Sequence, residues 1–171
     1  MSASEFSHPI DVRQSEGLVL KLVANETQRA ALAQRFDLVK VSALEASLTL
    51  TRKGRTVEAS GTMRADFVQS CAVSAEDVPV QVEEPLSLRF VPERADHNPD
   101  EEIELDAHDC DEIDYTGTTI DPGEAVAQSL GLAIDPFLTG PAADEIREKG
   151  YVSTPESNSP FAALKGLKPS D

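Results

Sequence analysis

The sequence predicts an α+β fold in which an antiparallel β-sheet, arranged as a meander or a partly open barrel, packs with two or three helices. The first observation is a hairpin pattern, in which apolar and polar residues alternate over residues 44–51 and again over residues 57–67. This period of two is typical of strands with one buried face. Lys53-Gly54 supplies the turn between the two strands. The second observation is that capped helical segments flank these strands.

A strand and a helix are expected before the hairpin. Residues 18–23 (LVLKLV) have the composition of a strand. Asn25 and Gln28 stand three residues apart, as in a capping box, and begin a helix predicted over residues 26–37. Its buried stripe is predicted to contain Ala30, Ala33 and Phe36.

Further strands are expected after the hairpin. Apolar residues of one parity over residues 78–90 predict a third long strand, interrupted at Pro85. We place Pro85 at an edge or a bend, because proline has no N–H to donate to a ladder. Short alternations at residues 103–105 and 113–115 predict brief edge strands.

Helices are predicted to follow. One helix is predicted to begin at residue 122, with Asp121 as its N-cap, Pro122 at the first helical position and Glu124 at the third. Val126 and Leu130 are predicted to face inward. Residues 141–149 predict a turn or two of helix, and Ser159-Pro160 caps a last helix over residues 161–167.

The predicted organisation is a single domain over residues 1–150, with an acidic insert at residues 93–114. A polar linker and a short helix occupy residues 151–171. The chain has no apolar N-terminal segment and no apolar stretch near 18 residues, which predicts a cytoplasmic protein with reduced thiols and no membrane partner. We expect a monomer.

Charge is distributed unevenly along the chain, whose net charge is −16. Residues 93–114 hold eleven acidic residues against one basic residue, whereas residues 1–55 hold eight basic and six acidic ones. A strongly acidic protein binds a phosphate backbone unfavourably unless it has a separate basic face. The sequence therefore predicts an acidic middle and a mildly basic N-terminal portion.

The stretch DAHDCDEIDYTG, residues 106–117, contains the side chains of a metal site, but only His108 and Cys110 supply nitrogen or sulfur, two residues apart. A structural zinc site needs about four such ligands in paired spacing. We interpret the stretch as a solvated acidic loop. Cys71 has the parity of the buried hairpin residues, so we expect a core thiol that behaves as a small hydrophobe. Nucleotide-binding and serine-hydrolase motifs are absent, and we expect no cofactor, no metal and no enzymatic activity.

Three stretches in order resemble one known family: GTMRADFVQSC (61–71), IDPGEAVAQSLGLAIDPF (120–137) and SPFAALKGLK (159–168). The chain resembles the YceD family, the large ribosomal RNA subunit accumulation proteins. The resemblance implies a bacterial factor needed for normal levels of large-subunit (23S) ribosomal RNA, without an established enzymatic activity. Many members carry a Cys-x-x-Cys that ends the hairpin and a later cysteine. In this chain Ser74, three residues after Cys71, stands at the second cysteine position, and residues 135–142 contain no cysteine. The resemblance therefore implies no metal site here.

Three mechanisms remain open. In the first, the acidic segment binds a basic ribosomal or RNA-processing protein, through Asp100, Glu101, Glu102, Asp109, Asp111 and Glu112. In the second, the basic N-terminal portion contacts ribosomal RNA, through Arg29, Arg35, Lys40, Arg52, Lys53 and Arg55. In the third, the protein is a Mg²⁺-dependent hydrolase that uses the acidic cluster. No sequence motif supports this third mechanism.

Overall fold

The computed structural model describes residues 5–93 and 111–149 of the chain. The strands are β1 (Ile10–Asp11), β2 (Val19–Val23), β3 (Lys40–Lys53), β4 (Thr56–Ser70), β5 (Asp77–Pro92), β6 (Asp111–Tyr115) and β7 (Thr119–Ile120). The helices are α1 (Glu26–Arg35), α2 (Pro122–Ala133) and α3 (Ala142–Glu148), and a 3-10 turn spans Val12–Gln14. The predicted α+β class is confirmed. The predicted helix over residues 161–167 and the strand at residues 103–105 lie outside the described residues.

The main sheet has five strands in the order β2-β3-β4-β5-β6. The pairs from β2 to β5 are antiparallel, as predicted, and β6 joins β5 in parallel. The hairpin of β3 and β4 closes at the pair Lys53 and Thr56, with Gly54 at a φ of 68°. Glycine tolerates this left-handed conformation because it has no Cβ. Strands β1 and β7 form a separate two-stranded ribbon.

One face of the sheet is buried beneath the helices. The inward residues of the hairpin alternate as the sequence predicts and are almost fully buried, including Leu44, Leu48, Leu50, Val57, Met63 and Phe67. Helix α1 packs on β3 and α2 contacts β4. The opposite face carries serine, threonine and charged side chains, so the sheet has one dry face and one polar face.

The helix caps form as predicted. Asn25 Oδ1 accepts the N–H of Gln28 at 2.9 Å, and Gln28 Oε1 accepts the N–H of Asn25 at 2.9 Å. Asp121 Oδ1 accepts the N–H of Glu124 at 3.1 Å, and Val126 and Leu130 are buried.

The prediction of the buried stripe of α1 is wrong at one residue, Ala30. Ala33 is buried and Phe36 is half-buried, but Ala30 is exposed, and Leu32 is buried instead. At 100° per residue, Leu32, Ala33 and Phe36 share one side of the helix, and Ala30 lies at its margin.

Strand β5 corrects a second prediction, because it continues through Pro85 without interruption. Pro85 pairs with Thr62 on β4, whereas β6 pairs only with residues 88–92 of β5. Its missing N–H therefore faces an edge with which no described residue pairs, in agreement with the predicted edge position. The predicted short strand at residues 113–115 is confirmed as part of β6.

Candidate functional site: the two charged edges of the sheet

Strands β5 and β6 form one side of the sheet and concentrate negative charge. We call these two strands the acidic edge. They hold six acidic residues against a single basic residue, Arg89; the acidic residues are Asp77, Glu83, Glu84, Asp111, Glu112 and Asp114. Glu83, Glu84, Glu112 and Asp114 are exposed. Proline and charge on an edge strand also oppose pairing with another chain, which explains why these residues suit this position.

The acidic edge is only weakly neutralised. Arg89 Nη1 lies 3.0 Å from Glu112 Oε1, but the two side chains are 44% and 56% exposed. An exposed pair of this kind contributes little free energy and is screened by salt. Glu83, Glu84 and Asp114 form no ion pair within the described residues.

The acidic segment predicted from the sequence joins this edge at both ends. Leu88 pairs with Asp111, Pro92 pairs with Tyr115, and the N–H of Glu93 donates to the carbonyl of Tyr115 at 3.0 Å. Asp111 and Glu112, which the sequence places in a solvated acidic loop, belong instead to β6, because that strand begins at Asp111 and pairs with β5. Of the predicted partner-binding residues, Asp100, Glu101, Glu102 and Asp109 lie outside the described residues.

Sequence reasoning missed the acidic residues of β5. Glu83-Glu84-Pro85 was available as a signal, because two charges before a proline are typical of a protected edge strand. The sequence does not show that β6 pairs with β5. It is this pairing that places Glu83 and Glu84 on the same side of the sheet as the acidic residues of β6.

The opposite side of the sheet is basic. Strands β2 and β3, which we call the basic edge, hold Lys21, Lys40, Arg52 and Lys53 against one acidic residue, Glu45. Lys53 Nζ lies 3.0 Å from a carboxylate oxygen of Glu58. Lys40, Arg52 and Arg55 are exposed and form no ion pair with the residues described.

Two of the predicted RNA contacts are engaged within the protein. Arg29 Nη1 donates to the carbonyl of Ala24 at 2.8 Å. Arg35 lies between two carboxylates, 2.9 Å from Glu5 and 2.7 Å from Glu124. The hydrogen bond to Glu124, together with the charges of Glu124 and Glu5, raises the pKa of Arg35 above its ordinary value, against the opposing effect of burial. Arg35 therefore ties the N-terminal segment and α2 to α1.

We expect Arg35→Met to lower the free energy of unfolding by roughly 1–3 kcal/mol, because it removes charge-assisted hydrogen bonds to two partly buried carboxylates. Arg52→Met is the matched control, since the side chain of Arg52 forms no hydrogen bond or ion pair with the described residues, while its backbone N–H donates to Glu16 at 2.8 Å. It should change stability by less than about 0.5 kcal/mol. Urea unfolding of both variants measures the difference, and equal losses would contradict a structural role for Arg35.

Cys71 confirms one part of its prediction and corrects another. It is buried, as predicted, with 4% of its surface exposed, but it lies outside the contiguous cluster of buried apolar side chains. Its Sγ accepts three backbone N–H groups, from Gly140 at 3.2 Å, Ser74 at 3.3 Å and Val73 at 3.4 Å. The hydrogen bond from Gly140 above all, then that from the Ser74 side chain and the other backbone N–H groups, lower the pKa of Cys71 to about 7 against the opposing effect of burial. The thiol is thus a polar acceptor rather than a small hydrophobe.

Among the residues that the structure describes, no set of metal ligands surrounds Cys71. Within residues 5–93 and 111–149, no three histidine, cysteine or acidic side chains are grouped closely enough to hold an ion. Ser74 and Gly140 occupy the part of the fold where the sequence resemblance implies further cysteines in other members. In this chain, backbone N–H groups surround the sulfur.

We expect the stability contributed by Cys71 to depend on pH. Its folded pKa of about 7 lies below the ordinary value of 9.0. The unfolded chain therefore binds more protons between these two values, and stability rises with pH across that window. The difference in unfolding free energy between the wild type and Cys71→Ala should be smallest below pH 7 and grow towards pH 9. A difference that stays constant over this range would show that the thiolate is not stabilised.

These observations define a class of protein: an α+β domain whose sheet presents opposite charges on its two edges. None of the helices in the described part of the chain has the length and apolarity needed to cross a bilayer. The family described as Large ribosomal RNA subunit accumulation protein YceD matches residues 59–168, well over half of the chain. The chain belongs to the YceD family, whose name implies a role in large ribosomal RNA subunit accumulation. No curated protein and no solved structure matches it significantly.

Proposed function

We propose that this protein is a non-enzymatic factor that supports accumulation of large-subunit (23S) ribosomal RNA by binding a basic ribosomal or RNA-processing protein. The binding surface is the acidic edge together with the acidic segment that joins it. The observation that carries the proposal is the concentration of carboxylates on β5 and β6, with one weakly paired arginine among them.

The spacing of the two edges supports this division of charge. Strand-to-strand intervals of roughly 4.8 Å place β3 about 10 Å from β5, and β2 about 19 Å from β6. Salt at physiological ionic strength screens the interaction between exposed charges over about 8 Å. The separation of the two edges exceeds this length, so the basic edge only partly offsets the field of the acidic edge. Such a field accelerates association with a basic protein and selects against acidic ones.

A second candidate function is direct contact with ribosomal RNA through the basic edge. The side chains of Lys40, Arg52 and Arg55, which are exposed and form no ion pair with the described residues, favour it, because phosphate contacts are made by accessible cations. The number of such cations is small, and the net charge of −16 opposes approach of a polyanion. No observation favours the Mg²⁺-dependent hydrolase.

Recovery of partners from cell lysate, with and without nuclease treatment, separates the two candidates. The proposal predicts that basic proteins remain bound after nuclease treatment and are released by salt. Recovery that disappears with the RNA would support direct RNA binding and overturn the proposal.

A further inference from the structure

An open groove of mixed lining lies between the end of α1, the segment after α2 and the end of β4. It has a volume of about 460 Å³, and its apolar lining is Phe36, Leu38, Val39, Ile134 and Pro136. The ring of Phe36 packs closely against α2 at Gly131, where an added Cβ would lie 2.7 Å from the ring. A groove of this size is within the range that accommodates several side chains.

Unusually exposed apolar residues lie along the same segments. Val39 in the lining is 50% exposed, and Phe137, next in the chain to the lining residue Pro136, is 81% exposed. Gln69 also lines the groove, and its Oε1 is buried without a hydrogen-bond partner in the described residues. Buried polar atoms without partners are rare, and apolar residues exposed together indicate a surface that another segment covers.

We propose that residues 159–167 of this same chain occupy the groove as a short helix. In SPFAALKGL, apolar side chains recur at Phe161, Leu164 and Leu167, a spacing that places them on one side of a helix. Residues 159–168 carry two lysines and no acidic residue. Asp37 lines the groove, and Asp135 precedes the lining residue Pro136, so the charges of groove and segment are complementary.

The chain path allows this docking. Ala142, the first residue of α3, donates its N–H to Glu76 at 3.0 Å, and Gly140 donates to Cys71. Cys71 follows Ser70, which lines the groove, so α3 starts beside it. Residues 150–158 can extend to roughly 30 Å, whereas the seven residues of α3 span only about 10 Å. The family match continues to residue 168 and so includes the segment.

Thiol labelling in the full-length chain tests the docking. Val39→Cys reports on the groove, and Val19→Cys, on β2 and 70% exposed, is the matched control at a distant site. Labelling at each position is measured by peptide mass spectrometry, with and without Leu164→Asp. Removing the docked side chain should raise the labelling rate at residue 39 at least about fivefold and leave residue 19 unchanged. Lys165→Glu, which keeps the apolar residues, should produce a smaller increase at residue 39.

Two results would overturn the proposal. If residue 39 reacts at the same rate whether or not Leu164 is replaced, the segment does not cover the groove. If residue 39 is protected only at high protein concentration, and neither tail variant changes that protection, the occupant is a second copy of the chain. Both results leave the acidic-edge proposal unaffected.

Discussion

A variant in which six carboxylates are replaced by amides should bind its basic partner at least about tenfold more weakly, because long-range attraction accelerates association by 10-fold or more. The changed residues are Asp100, Glu101, Glu102, Asp109, Asp111 and Glu112. The loss should appear mainly as a slower association rate, since charges at a rim act on encounter rather than on residence time. The dependence of binding on salt should flatten. Association kinetics at several salt concentrations measure both effects.

The matched control replaces Arg52, Lys53 and Arg55 by glutamine. It changes charge at the turn of the hairpin and at the basic edge, and it should leave binding of a basic protein unchanged or slightly stronger. Folding should be preserved in both variants, because the ion pairs lost, Arg89 with Glu112 and Lys53 with Glu58, are exposed. If the amide variant binds with the wild-type rate and salt dependence, the acidic residues are a solvated surface only.

Gly61→Ala should destabilise the fold by at least about 3 kcal/mol, because the added methyl group cannot be accommodated without moving the backbone. A Cβ at Gly61 would lie within 2 Å of the carbonyl oxygen of Ser47, and 2.8 Å from its carbonyl carbon. Gly61 pairs with Leu48 on one side and with Leu86 on the other, so neither neighbouring strand can move away without disrupting the ladder. Urea unfolding measures the loss.

Ser60→Ala is the control for this position, since Ser60 is exposed on the polar face of the same strand. Its effect should be within about 0.5 kcal/mol. Similar unfolding midpoints for the wild type and Gly61→Ala would mean that β3 and β4 do not approach as closely at this point as the structure places them.

Features of the fold that depend on neighbouring residues were predictable from the sequence. The hairpin follows from a period of two on both sides of Lys53-Gly54, and the start of α1 follows from Asn25 and Gln28, which bond to each other. The patterns that predict the hairpin and the start of α1 are local, because the residues that form each pattern lie close together in the chain. The edge position of Pro85 was predictable for the same reason.

Features that depend on distant contacts were not predictable from the pattern. Cys71 receives an N–H from Gly140, 69 residues away, and Arg35 bonds to Glu124, 89 residues away. No periodicity reports such pairs. The acidic edge depends likewise on the parallel pairing of β5 with β6, which brings Glu83 and Glu84 into the same edge as Glu112.

The most direct test of the central claim is the ratio of large-subunit to small-subunit ribosomal RNA in cells whose only copy of this protein is a charge variant. If the acidic edge binds the partner, the six-amide variant should lower this ratio, as loss of the protein would, whereas replacement of Arg52, Lys53 and Arg55 by glutamine should leave it at the wild-type value. A normal ratio with the six-amide variant, and a reduced ratio with the Arg52, Lys53 and Arg55 variant, would contradict the account and assign the function to the basic edge.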